Sequence, residues 1–239
     1  MFRKGVVEFG WPDRWNPNYK TMLADFWRYL DEKDRYKHIR YYQILGGEPF
    51  YQKEFDMSLE FWETHPNPRV TINIVSNLMQ QEYVRWGLDL NEWTENFEYL
   101  LDKPWVQPCI NSAISALTVK TVPELIRRMN VWNDSCTNNR KISYSFMTIQ
   151  DNQRPWMDPA IFGGGVFEED FDAILAEMRN TNESERSARE HMQGIRTQIV
   201  SAKRNVKMIN GLKDYLNEID RRRGTDWKSL FPWLDQDWK

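Results

Sequence analysis

The stretch from Ile39 to Phe50 reads IRYYQILGGEPF. Its first part, Ile39 to Leu45, is rich in aliphatic and aromatic residues and reads as a β-strand. Gly46, Gly47 and Pro49 then stop it. Two adjacent glycines let the backbone approach a ligand closely, because no side chain intervenes. A proline donates no N–H and leaves nearby carbonyls without ladder partners, so those carbonyls can accept from an ammonium group. The same tetrapeptide, Gly46-Gly47-Glu48-Pro49, also suits an ordinary strand-to-helix turn, and these residues alone leave both readings open.

Strand and helix patterns alternate outward from this point. Upstream, Met22, Leu23, Phe26, Trp27 and Leu30 share one face of a 3.6-residue period, so a helix is expected from Tyr19. Downstream, a helix is expected through Phe55, Leu59 and Phe61, ended by His65-Pro66. Val70 to Val75 (VTINIV) reads as the second strand. A helix from about Asn91 follows, with Trp93, Phe97, Leu100 and Leu101 on its face and Pro104 closing it. Cys109 to Leu117 (CINSAISAL) is the third expected strand. Thr121-Val122-Pro123-Glu124 reads as a capping box opening a helix that continues through Trp132. Ile142 to Ile149 (ISYSFMTI) is the fourth strand. Such alternation argues for an α/β fold with a parallel sheet, whose ligands bind beyond the carboxyl ends of the strands.

After Ile149 the pattern becomes helical. Gly163-Gly164-Gly165 lacks the Lys-Ser/Thr of a phosphate loop and reads as a hinge or turn. Phe167, Phe171, Ile174, Leu175 and Met178 mark an amphipathic helix, Asn180 to Ser187 a polar and mobile link, and Ser187 to Arg222 one longer helix with Gly224 as its C-cap. The aromatic tail from Trp227 to Trp238 is expected to dock on the body. The chain therefore divides into an α/β part, residues 1–150, and a mostly helical part, residues 151–239. No internal repeat is visible.

Composition narrows the function classes. The 239 residues are 41% hydrophobic and 28% charged, with a net charge of -3. That balance does not suggest a nucleic-acid binder, which is usually basic. Two cysteines, Cys109 and Cys136, are too few for a disulfide framework or a four-thiolate metal site. The first residues form no apolar signal segment and no run approaches a membrane span, so a cytoplasmic protein without membrane contact is expected.

The order of motifs resembles the radical S-adenosylmethionine (SAM) superfamily over nearly the whole chain. IRYYQILGGEPF resembles that family's second strand and its GGEP motif, which implies that Gly46, Gly47, Glu48 and Pro49 hold the amino group of SAM. Asn77, ending VTINIVSN, looks like the polar residue closing the third strand. The run from Glu82 to Leu101 is similar to the Arg-Gly segment, and places Arg85 at the SAM carboxylate; an ion pair of Arg85 with Glu82 or Asp89 is the plainer alternative. Asn111 is similar to a fifth-strand asparagine that faces the cofactor. YLNEIDRRRGTDWKSLFPWL, Tyr215 to Leu234, resembles the ending of twitch-domain members. The resemblance implies an incomplete radical SAM-type (β/α) half-barrel with a helical C-terminal extension, SAM as cofactor, and radical modification of an unknown substrate such as a peptide or protein.

Two departures qualify that expectation. The family binds a 4Fe–4S cluster through CxxxCxxC, and this sequence has no such motif. Met1 falls downstream of where it belongs, as in an N-terminally truncated product or one whose cluster motif lies on a separate chain. Asn77 also runs almost directly into the Arg-Gly segment, so the helix and strand that the family places between them have no room. Without three cysteine thiolates the cluster is not held. The chain alone is then expected to be inactive, and a non-catalytic ligand- or partner-binding remnant is the alternative. His38, His65 and His191 show no ligand spacing and read as surface or capping residues. Arg221-Arg222-Arg223 suit a helix C-terminus without any phosphate partner.

Overall fold

A computed structural model describes residues 19–44, 53–74, 83, 89–103, 108–136, 141–149 and 155–236. The chain is mostly helical and carries a small parallel sheet. The strands are β1 (Tyr41–Ile44), β2 (Thr71–Ile74), β3 (Cys109–Ile114) and β4 (Ser143–Thr148), in the spatial order β1-β2-β3-β4. Two well-paired units, β1 with β2 and β3 with β4, meet through the single register pair Ile74 and Ile110. The sheet is not closed into a barrel.

Parallel neighbours need crossovers, and helices supply them. After α1 (Tyr19–Asp31), α2 (Lys53–Thr64) joins β1 to β2, α3 (Leu90–Leu101) lies between β2 and β3, and α4 (Val122–Ser135) joins β3 to β4. Because the strands follow one another in space as they do in sequence, right-handed crossovers place these helices on one face. Side-chain burial agrees. Ile110, Ser112, Ile114 and Phe146 are buried on one face, whereas Ser145 and Met147 alternate to the other and are exposed. Tyr42, in step with the buried set, bonds its hydroxyl to Ser58 of α2 at 3.0 Å and packs its ring against Trp62.

The aromatic residues fill the layer between sheet and helices. Trp27, Tyr36, Phe61 and Trp62 cluster around α1 and α2, while Trp93 stacks on Phe97 and both meet Trp132 of α4. Asp89 caps α3 by accepting from the N–H groups of Asn91 and Glu92. Between α1 and β1 the chain makes 3-10 turns, Glu32–His38, with Lys33 and Asp34 at φ of 58° and 57°.

The C-terminal part joins the same core. The helices α5 (Glu168–Glu177), α6 (Glu183–Val200), α7 (Val206–Arg223), α8 (Trp227–Leu230) and α9 (Pro232–Gln236) follow in order. Phe171, Ile174, Met192, Leu212 and Leu216 are buried, as are Trp227, Phe231 and Leu234 of the expected docking tail. Gly224 at φ 68° ends α7, as its C-cap reading requires.

Four local expectations need correction. The single helix expected from Ser187 to Arg222 is two, because the chain turns after Val200 and Asn205 opens α7 by accepting from Met208 N–H. The expected polar link instead contains the start of α6, with Asn182 capping it through Glu185 N–H. Thr121 makes no capping bond to α4; its hydroxyl donates to Thr118 O at 2.8 Å. The third strand, expected to reach Leu117, ends at Ile114, where the Thr118 hydroxyl takes the Ser115 N–H at 2.8 Å and bends the chain into a turn.

Candidate functional site

The face of the sheet opposite the crossover helices carries the candidate site. Strand period places Cys109, Asn111 and Ala113 of β3 on it, and the register sets them beside Ser143, Ser145 and Met147 of β4. Tyr41 and Gln43 of β1 are exposed and follow the same alternation. Met147 is 55% exposed and Tyr41 54%, so this surface is open to a ligand.

At its centre Ser145 Oγ donates to Asn111 Oδ1, and the Cys109 thiol lies 3.9 Å from the same oxygen. A serine hydroxyl on the amide oxygen fixes which way the Asn111 side chain is turned. The outer edge of β4 is covered by α6, from which His191 donates through Nε2 to Phe146 O at 2.8 Å. That contact gives His191 a structural task and closes an edge otherwise open to another strand. His65 is similarly engaged, with Nε2 2.8 Å from Asp31 Oδ1 and its ring stacked on Phe61.

Of the residues expected to bind SAM, Asn111 alone lies among the described residues. Gly46, Gly47, Glu48, Pro49, Asn77 and Arg85 lie outside them. Tyr83, two residues before Arg85, is held firmly to the C-terminal part. Its hydroxyl donates to Asp220 Oδ1 at 2.9 Å, and Arg223 Nη1 donates to its carbonyl oxygen at 2.5 Å. Asp220 also accepts from Thr225 Oγ1 and Trp227 N–H, so one carboxylate ties three segments together. Burial, aided by this carboxylate, pushes the Tyr83 phenol well above its usual range. Arg221 and Arg222 both pair with Glu218, and no phosphate role is needed to explain the basic run.

No family model, curated protein or solved structure matches this chain.

The residues present do not suit an iron–sulfur cluster. The two cysteines are free thiols, and among the described residues no group of three or more His, Cys, Asp or Glu side chains could hold a metal ion. Burial raises the Cys136 thiol above its ordinary value, which disfavours the thiolate a cluster needs. The open face suits a polar organic ligand better: Asn111, Ser143, Ser145 and Gln43 offer hydrogen-bonding groups, and Tyr41 and Met147 offer apolar contact. Ser145 was not anticipated from sequence. Its signal was the two-residue period of ISYSFMTI, which becomes informative only once register sets it opposite Asn111. No described helix is long and apolar enough to cross a membrane.

Proposed function

We propose that this chain is a radical SAM-type protein, an incomplete (β/α) half-barrel with a helical, twitch-like extension, whose open sheet face holds SAM. The observation that carries this reading is Asn111 on the exposed face of a parallel sheet built in sequential strand order. Strands so arranged, with their helices on one side, are the layout of part of a (β/α) barrel. Asn111 and Ser145 are hydrogen-bonding groups on the face that a barrel turns inward. The segments expected to hold the SAM amino and carboxylate groups follow β1 and β2 in sequence.

Radical chemistry by this chain alone is not part of the proposal. SAM cleavage to a 5′-deoxyadenosyl radical takes an electron from a cluster, and the cysteines for one are lacking here. Either a separate chain supplies the cluster for a peptide or protein substrate, or the fold persists as a ligand-binding remnant. The cysteine count favours the remnant for this chain taken by itself.

Equilibrium dialysis with labelled SAM tests the binding claim. Saturable binding that Asn111→Ala weakens supports it; no binding at about 1 mM SAM, a threshold of some -4 kcal/mol, rules it out. Anaerobic iron and sulfide reconstitution is expected to give no 5′-deoxyadenosine from the isolated chain.

A further inference from the structure

At the N-terminal end of β4, bordering Ser143 of the open face, a cleft of about 330 Å³ opens between β4, the end of α4 and the start of α6. Its lining includes Lys141, Ile142, Tyr144, Glu185 and Ala188. We propose that this cleft binds a free aliphatic α-amino acid, its carboxylate met by Tyr144 and Lys141 and its ammonium by Glu185.

One polar group at the cleft is unsatisfied. The Tyr144 hydroxyl is buried and makes no hydrogen bond within the protein. A buried hydroxyl without a partner is costly, so its retention calls for an explanation. Three indole N–H groups, on Trp27, Trp62 and Trp156, share that condition, but none of them lines this cleft. Burial, with Glu185 nearby, raises the Tyr144 phenol, so at neutral pH it stays protonated and can donate to a carboxylate.

Glu185 supplies the complementary charge. Its Oε2 accepts from Thr181 N–H at 2.8 Å and Thr181 Oγ1 at 2.6 Å, which holds the side chain in place. Burial acts to raise its carboxyl, but these bonds prevail, and it lies below its ordinary value and is ionised at neutral pH. The Asn182 backbone N–H also favours the ionised carboxylate, which lines the cleft and can take an ammonium there. Lys141, whose ammonium donates to Asn133 O, adds positive charge to the wall. One anion, one cation and one buried hydroxyl around a small space match a zwitterion. Ile142 and Ala188 give the wall an apolar part suited to an aliphatic side chain.

Isothermal titration with L-leucine tests the proposal, using 4-methylpentanoate, which lacks the ammonium, and 3-methylbutylamine, which lacks the carboxylate. Leucine is expected to bind saturably with a Kd of about 1 mM, and each partial analogue about tenfold more weakly. Tyr144→Phe, which removes only the unpaired hydroxyl, should fold with a melting temperature at or above that of the parent while binding leucine about tenfold more weakly. Glu185→Gln should weaken leucine similarly and leave 4-methylpentanoate unchanged. Failure of leucine to saturate by about 20 mM overturns the proposal. So does leucine affinity unchanged in both variants, or 4-methylpentanoate binding as well as leucine. SAM binding by Asn111 is independent of each of these results.

Discussion

Gly163, ahead of α5, meets the turn between α6 and α7 through a backbone contact with no room for a side chain. It sits at φ 81° and ψ 178°, a region reserved almost wholly to glycine. A Cβ there would lie 2.6 Å from Arg204 N, a backbone atom that cannot rotate away. Bonds on either side fix the approach: Gly164 N–H donates to Ala202 O at 3.1 Å, and Asn205 N–H donates to Ile161 O at 2.7 Å. Gly163→Ala therefore combines backbone strain of about 1–3 kcal/mol with an overpacking cost of about 1–3 kcal/mol. A loss near 3 kcal/mol is expected, which lowers the urea midpoint by about 1 M for a slope of some 3 kcal/mol/M. Two further glycines separate the causes. Gly165, at φ 94° with no atom within 4 Å of a Cβ, keeps the strain without the clash, so Gly165→Ala should cost only about 1–2 kcal/mol. Gly194, within α6 and with nothing within 4 Å, should gain about 0.5–1 kcal/mol on Gly194→Ala. Equilibrium urea unfolding followed by tryptophan fluorescence reads all three. A Gly163→Ala midpoint within about 0.2 M of the parent, or one equal to that of Gly165→Ala, would refute the reasoning.

Other expectations follow from the polar contacts. Tyr83→Phe removes a part-buried bond to Asp220 and should cost about 1.5 kcal/mol in the same unfolding assay, whereas an unchanged midpoint would show that the clamp contributes nothing. Acid should weaken the fold. Arg221 and Arg222 hold Glu218 down to about 2, Arg179 lowers Asp134, and Lys103 followed by Tyr99 lowers Glu63. Carboxyls lowered in the folded state stabilise above their unfolded values, near 4, and lose that contribution as pH falls through the folded values. Asp158, raised by burial, opposes the trend. Glu185 is lowered as well, so the depressed carboxyls outnumber it and the melting temperature should decline between about pH 5 and pH 2, most visibly at low salt. A melting temperature that rises over that range contradicts this balance. Iodoacetamide under denaturing, non-reducing conditions should add two groups per chain, since Cys109 and Cys136 are both free; intact mass showing none would reveal a disulfide.

The four strands were legible because runs of β-branched and aromatic residues stand between clear punctuation. ISYSFMTI and VTINIV needed no partner to declare themselves, and parallel order followed from the helices between them. Helix breaks were harder. Ser201 to Asn205 carries no proline or glycine, and the turn there depends on bonds to Ile161 and Gly164, which lie some forty positions away. The early end of β3 came from a competition that strand propensity does not express, because Thr118 takes the Ser115 N–H that a longer strand would use. Of the site, Asn111 was visible through resemblance, whereas Ser145 became visible only through register. The cleft at Tyr144 was hidden altogether, since Tyr144 and Glu185 meet only when α6 folds against β4.

Oxidation footprinting offers the most direct check that the open sheet face holds SAM. Met147 lies on that face and is 55% exposed; Met22, on α1, is 56% exposed and serves as an internal reference. Dilute hydrogen peroxide with peptide mass spectrometry yields both rates from one sample. Saturating SAM should slow sulfoxide formation at Met147 while leaving Met22 unchanged, and Asn111→Ala should abolish the difference. Equal rates at Met147 with and without SAM, in a chain shown by dialysis to bind it, would place the ligand elsewhere.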